Sequence, residues 1–337
     1  MPGNAQFLDG DKELLARAAT FRECPHLSDC SQSNISELSR KHGIEFATAV
    51  LYDRVLQHPI HSRFFDKVRR AVASPLHSPP LVGIVPGAFY REHKGTGADG
   101  ARLARILESI GCRVERVPVE SFGPLKTNAA LVAKWLSDRK GEPVALMTLS
   151  KGAADVKTCL GLPGAAETFS NVVAWISLSG LPEGTPLVAW LRQQPLRKLG
   201  VRLLLRIRGQ RYSVVEELRQ DRDAPLKGWP ASPVPITHVV AFPLRRHLAH
   251  RWAPRGYERV APLGPNDGGG FLLSDAANLP GVVFPVWGAD HYLQPAWDAT
   301  SLLSRVLAEV IASDRALLQT NQSAARPISP PASKSTA

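Results

Sequence analysis

The run Val144-Ala-Leu-Met-Thr-Leu-Ser-Lys-Gly-Ala-Ala-Asp155 is apolar up to Leu149, breaks at Ser150-Lys-Gly152 and resumes in helix-forming residues. A strand that passes into a helix through so short a corner predicts a sharp turn with Ser150 at its apex. A serine hydroxyl is a weak nucleophile at its own pKa. An enzyme that uses one exposes it at such a corner, beside a base and beside free backbone N–H donors. Gly152 is small enough for the helix to approach the strand closely. Of the pattern Gly-x-Ser-x-Gly the run keeps the serine and the second glycine, with Thr148 in place of the first. An ordinary strand followed by an N-capping serine leaves the same trace, so the segment needs partners elsewhere in the chain.

Two downstream segments offer them. Gly264-Pro-Asn-Asp-Gly-Gly-Gly270 carries Asp267 in a turn-forming cluster after the apolar run Ile236-Thr-His-Val-Val-Ala-Phe242. The apolar run Gly281-Val-Val-Phe-Pro-Val-Trp287 ends in Gly288-Ala-Asp-His291, which places His291 just past another strand. Serine, then aspartate, then histidine is the chain order of α/β-hydrolase triads and differs from the chymotrypsin and subtilisin orders. Three aspartates are candidates for the acid. Asp290 adjoins the histidine, and neighbours in a loop point apart. Asp275 reads with Ser274 as a helix start. Asp267 combines a position after a strand with flanking glycines that let the backbone bend, and is the assigned acid.

The stretch from about Leu81 to about Leu318 resembles the lipase and esterase branch of the α/β-hydrolase superfamily. Pro86-Gly87, Leu149-Ser-Lys-Gly152, Ser179-Gly-Leu-Pro-Glu-Gly-Thr-Pro186, Asn266-Asp-Gly268 and Asp290-His291 carry the resemblance. It implies an α/β-hydrolase fold, a mostly parallel central sheet with helices on both faces and a helical lid insertion at about 182–235. It also implies an oxyanion hole made by the backbone N–H groups of Ala88 and Lys151. The Lys151 side chain is expected on the solvent face of the helix.

Composition fits this frame. The chain has 337 residues, 44% of them hydrophobic, enough for one sizeable core in a globular α/β protein. Residues 1–75 are expected as a helical extension laid against the body, because apolar positions recur at helical spacing through Phe46-Ala-Thr-Ala-Val-Leu-Tyr52 and Phe64-Phe-Asp-Lys-Val68. Ala73 to Pro80 reads as a linker, 76–318 as the hydrolase domain, and 319–337, rich in Ser, Pro, Ala and Gln, as a disordered tail. The lid segment, with Leu196-Arg-Lys-Leu-Gly-Val-Arg-Leu-Leu-Leu-Arg-Ile207, is expected to be helical, apolar on one face and basic on the other.

The first residues lack a basic segment followed by an apolar core, and no run approaches the length of a membrane helix. Cys24, Cys30, Cys112 and Cys159 are too few and scattered for a disulfide framework, so a cytoplasmic setting is expected. Cys24 and Cys30 flank His26 and Asp29, but no second ligand pair follows at finger-like spacing, and neither a metal nor a cofactor is expected. The 41 Lys and Arg against 30 Asp and Glu give a net charge of +11, spread without a nucleic-acid reading motif. No specific nucleic-acid partner is expected, whereas an acidic carrier protein or an anionic surface would suit such a charge.

The expected activity is cleavage of a carboxylic ester or thioester small-molecule substrate, with Ser150 as nucleophile, His291 as base and Asp267 orienting it. Acyl transfer or thioesterase action on carrier-bound chains shares the same chemistry up to the acyl-enzyme. A silent scaffold used as a binding module is the alternative from another class.

Overall fold

A computed structural model describes residues 7–71, 78–293 and 300–310. Most of the expected linker at 73–80 and all of the expected tail at 319–337 lie outside the described residues. Four helices come first: α1 (Asp11–Thr20), α2 (Gln32–His42), α3 (Ile44–Gln57) and α4 (Pro59–Arg70). Strands then alternate with helices: β1 (Leu81–Val85), α5 (Ala101–Ser109), β2 (Val114–Arg116), α6 (Leu125–Ser137), β3 (Val144–Leu149), α7 (Gly152–Leu160), α8 (Ala165–Thr168) and β4 (Val172–Leu178). The segment between β4 and β5 (Ile236–Phe242) holds α9 (Leu187–Arg192), α10 (Pro195–Ile207) and α11 (Ser213–Glu217). Helix α12 (Ala253–Val260) follows, and then β6 (Val282–Trp287).

The strands form one sheet in the order β2-β1-β3-β4-β5-β6, and every pairing is parallel. Parallel strands need crossover connections, and the crossover helices cover both faces. Successive side chains alternate between those faces. Val82, Ile84, Ala145, Met147 and Ile176 pack with α4, α5 and the helical residues 300–310, while Leu81, Val85, Leu146 and Trp175 pack with α6 and α7. Covered on both sides, β5 is buried at each of its positions. This is why the strands other than β2 read as mostly apolar runs.

The N-terminal helices lie on the sheet at its β5–β6 end. Val50, Leu51 and Val55 of α3 share a core with Val240, Phe242, Val283 and Trp287. Tyr52 meets the rings of Phe242 and Trp287 edge-on, at 5.6 and 5.1 Å. His61 of α4 accepts a hydrogen bond from the Val283 N–H at 3.2 Å, so the outer edge of β6 is capped. Burial first, and then His58, pushes the His61 ring down to about 4, and the neutral ring is the form that can accept.

The insertion between β4 and β5 is helical, as expected, but its sidedness differs. Val188, Leu205, Val214 and Leu218 turn inward onto Phe122 and Leu125. A second stripe on α10, Leu196, Leu199, Leu203 and Ile207, faces outward. Apolar residues at two phases of a 3.6-residue period occupy two sides of one helix, and only the Val201–Leu205 side has a core beneath it.

Asp11, fully buried at the start of α1, clips the extension to the body. One carboxylate oxygen meets Arg246; the other meets His247 Nε2 at 2.9 Å, Trp287 Nε1 at 3.0 Å and the Leu8 N–H at 3.0 Å. Removing one partner of a buried polar cluster strands the others. Asp11→Ala is therefore expected to lower the unfolding free energy by about 3–5 kcal/mol. Urea denaturation checks it: the midpoint falls, and an unmoved midpoint would show that the clip contributes nothing.

Candidate active site

β3 delivers Ser150 into the corner predicted from the sequence. The Ser150 backbone has φ of 47°, the left-handed region that a side chain enters only when its surroundings impose it. Here they do. The Ser150 N–H donates to the Leu178 carbonyl at 3.3 Å, and the Ser150 carbonyl accepts from the N–H groups of Leu181 and Ala153 at 3.0 and 3.1 Å. Gly152 is required on the far side of the corner, since a Cβ there would lie 2.5 Å from the Val85 carbonyl oxygen. Thr148, where the sequence pattern has its first glycine, is fully buried and accepts a hydrogen bond from Trp175 Nε1 at 3.0 Å.

His291 follows the end of β6. Its Nε2 lies 3.0 Å from Ser150 Oγ, and its Nδ1 lies 2.6 Å from Asp267 Oδ2. A carboxylate only accepts, so Nδ1 carries the proton and Nε2 presents its lone pair to the serine hydroxyl. The other Asp267 oxygen, Oδ1, accepts from the backbone N–H groups of Gly269, Gly270 and Phe271, at 2.8, 3.1 and 3.1 Å. The His291 N–H donates to the Asp267 carbonyl at 2.8 Å. Gly269 passes directly under the imidazole, where a Cβ would stand 1.9 Å from the ring.

Asp267 is not at a strand end, as its place in the sequence suggests. The path from β5 runs through α12 before reaching it, and the loop is held by other means. Asn266 Nδ2 donates to the carbonyls of Tyr257 and Gly264, and Asn266 Oδ1 accepts from the Gly268 N–H at 3.0 Å. Thr185 Oγ1 donates to the Gly270 carbonyl at 2.8 Å, tying the loop to the segment after β4. The two rejected aspartates are placed elsewhere. Asp290 accepts from the N–H groups of Ala249, His250 and Tyr292. Asp275 accepts from Gln220 at 3.2 Å, and burial pushes its carboxyl up to about 6.

The N–H groups of Ala88 and Lys151 have no acceptor among the described residues, and both residues border the Ser150 corner. The Lys151 side chain corrects the sequence expectation. It is buried, with Nζ 2.6 Å from Asp155 Oδ1 one helical turn on, and Asn128 donates to the other Asp155 oxygen at 3.0 Å. With a helix starting immediately after the corner, the Lys151 side chain turns inward, and the i,i+4 carboxylate meets it there. Asp155 and Asn128 had no assigned role in the sequence. Asp155 was signalled only by the Lys-x-x-x-Asp spacing, and Asn128 by nothing.

A cavity of about 520 Å3 opens onto Ser150 and His291, and Phe89, Phe122, Val188, Leu205 and Leu218 supply apolar wall. That volume suits a small apolar-tailed molecule. Burial opposes the charged form of His291, but the Asp267 carboxylate and then Asp290 outweigh it, so its pKa is raised above the ordinary imidazole value. The neutral ring is the form able to take a proton. A rate that depends on it therefore rises with pH through a midpoint above about 6.5.

Asp267→Asn is expected to keep the fold, cut turnover by a factor on the order of 10⁴ and move that midpoint to lower pH. Asp275→Asn, whose carboxyl faces Gln220, is expected to leave the profile in place. Rates on a chromogenic ester from pH 5 to 9 test both, and an unmoved midpoint in Asp267→Asn would remove this residue from the site.

A scan against protein-family models finds no match, and a search of curated proteins finds none. Among solved structures, a metagenomic carboxyl esterase is similar over 91% of this chain and 98% of its own at 16% identity, with a TM-score of 0.47. The mature form of a Bacillus licheniformis lipase is similar over 74% of this chain and 95% of its own at 17% identity, with a TM-score of 0.48. A thioesterase domain, NocB, held covalently by a fluorophosphonate nocardicin G analog, covers 72% of this chain and 95% of its own at 19% identity, with a TM-score of 0.32. With a parallel sheet covered on both faces, a serine on the corner after β3 and a histidine after β6, this chain has the α/β-hydrolase fold.

Proposed function

We propose that this protein is a serine hydrolase that cleaves a carboxylic ester or thioester through an acyl-enzyme intermediate. The observation that carries the reading is the hydrogen-bonded chain from Asp267 through His291 to Ser150, at 2.6 and 3.0 Å. Ser150 Oγ attacks the carbonyl carbon as its proton passes to His291 Nε2. The carbonyl oxygen takes the negative charge and sits between the N–H groups of Ala88 and Lys151, each worth roughly 3 kcal/mol in the transition state. His291 then returns the proton to the leaving oxygen or sulfur, and the carbon–heteroatom bond breaks. A water molecule repeats the sequence on the acyl-enzyme, giving its proton to His291 and releasing the acid. An alcohol or amine in place of that water makes the same apparatus an acyltransferase.

Each part has a reason to be where it is. The Asp267 carboxylate stabilises the imidazolium that forms during attack, and the three N–H donors on its other oxygen keep it from turning away. The Lys151–Asp155 pair fixes the residue whose N–H serves as oxyanion donor. The apolar cavity takes the acyl chain, and the helical insertion above it excludes water. No helix among the described residues is long and apolar enough to cross a membrane. A cytoplasmic setting remains part of the proposal, consistent with four free, buried cysteines.

A fluorophosphonate probe is expected to label Ser150 and to leave Ser150→Ala unlabelled, read by mass spectrometry of the intact protein and its peptides. Turnover of esters of graded chain length is expected to peak at a chain that fills the cavity and to vanish in Ser150→Ala. An unlabelled wild-type protein that turns over none of these esters would return the fold to the role of a binding scaffold.

A further inference from the structure

The wall of the catalytic cavity includes Trp190, Arg255 and Arg259, and these same residues, with Arg197 and Glu258, line an adjoining depression of about 560 Å3. Three guanidinium groups therefore gather beside an apolar cavity. They come from separate elements, Arg197 from α10 and Arg255 and Arg259 one turn apart on α12. Each is set beside an aromatic face: Arg197 and Arg259 both lie over Trp190, 5.1 and 4.7 Å from the ring centroid, and Arg255 lies over Trp252 at 5.9 Å.

None of the three arginines is paired with a carboxylate among the described residues. Glu258 borders the depression, but its carboxylate goes to Arg245 at 2.9 Å. Burial, and then the charges of Arg197 and Arg255, hold the Arg259 guanidinium below its ordinary range. Like charges crowded at a cavity mouth repel, and an arriving anion relieves that repulsion. A planar guanidinium offers paired donors that match a phosphate or carboxylate edge, and three of them suit the doubly charged phosphate best. Other cations of the insertion are engaged differently: Lys198 and Arg202 lie over Tyr212 on the far side of α10.

We propose that this depression binds a phosphate carried on the alcohol or thiol part of the substrate, which makes the substrate a phosphorylated acyl ester or thioester. The proposal rests on the serine-hydrolase reading for the bond that is cut, and on the arginines alone for the anion. Val188 and Trp190 stand two positions apart on α9 and so face different sides of that helix, the first toward the apolar core and the second toward the arginines. An amphiphile with an apolar acyl chain and a phosphate beyond its ester bond spans the two. A glycerophosphate headgroup and a phosphopantetheine arm both have that chemistry.

The test is binding to Ser150→Ala protein, so that it does not depend on turnover. Calorimetry compares a monoacylglycerol with the same acylglycerol carrying a 3-phosphate, and an acyl pantetheine with its 4′-phosphate, each below its micelle concentration. The phosphate is expected to tighten binding tenfold or more at low salt, with the advantage shrinking as salt rises. It is expected to fall in Arg259→Gln and to vanish when Arg197, Arg255 and Arg259 are all changed to Gln, with folding followed by circular dichroism. The pair with the larger advantage identifies headgroup or arm as the source. Equal affinity for phosphorylated and neutral partners, or an advantage that survives the triple change in folded protein, overturns the proposal. Fluorophosphonate labelling of a second protein that carries the three arginine changes but keeps Ser150 reports separately on the hydrolase reading.

Discussion

The carboxylate of Asp267 is the point on which the site hangs. One of its oxygens is fully engaged by three consecutive backbone N–H groups, and this leaves the other a single direction, toward His291 Nδ1. The turn that supplies those donors is possible because Gly268 and Gly270 adopt positive φ. The carboxylate that orients the histidine ring is thus itself held by backbone rather than by side chains that could change rotamer. An imidazole whose Nδ1 faces a fixed carboxylate and whose Nε2 faces the Ser150 hydroxyl is a preorganised arrangement. Much of the surrounding structure serves to keep that turn and the Ser150 corner in register, through Asn266, Thr185 and the Leu181 N–H.

The sheet was legible because its strands are covered on both faces. Five-to-seven-residue apolar runs bounded by glycine, proline or asparagine marked β1, β3, β4, β5 and β6. β2 left no such mark: Val114–Arg116 is short, half-exposed and lies at the sheet edge. Ser150, Asp267 and His291 were singled out by their order and by the strand ends that precede Ser150 and His291, and the structure brings the three within hydrogen-bonding distance. What sequence could not supply was the route to Asp267, because a loop anchored by Asn266 to Tyr257 and by Gly256 packed against the Gly268 carbonyl is fixed by contacts between distant residues.

Three further features show the same limit. Lys151 reads as a surface residue because lysine is seldom buried, yet its four-residue spacing to Asp155 and the reach of Asn128 from α6 make burial tolerable. On α10 a single apolar face was expected, and the helix carries two. The spacing of Leu196, Leu199, Leu203 and Ile207 is as regular as that of the inward stripe, and only tertiary packing tells which one is covered. The arginines around Trp190 are a third case. Arg255 and Arg259 are visible as an i,i+4 pair, but their meeting with Arg197 depends on how the insertion folds over α12.

Conformational strain at Ser150 explains why the site sits at the centre of the sheet rather than at its margin. A serine in the left-handed region costs about 1–3 kcal/mol and persists only where its surroundings over-determine it. β3 lies between β1 and β4, so one neighbour supplies the Leu178 carbonyl to the corner's N–H and the other brings the Val85 carbonyl against Gly152. An edge strand could supply only one of these. His61, α4 and the Asp11 clip stabilise the β6 margin far from the chemistry, and β6 in turn carries His291. The N-terminal helices and the Ser150 corner are linked through β6, the strand that precedes His291.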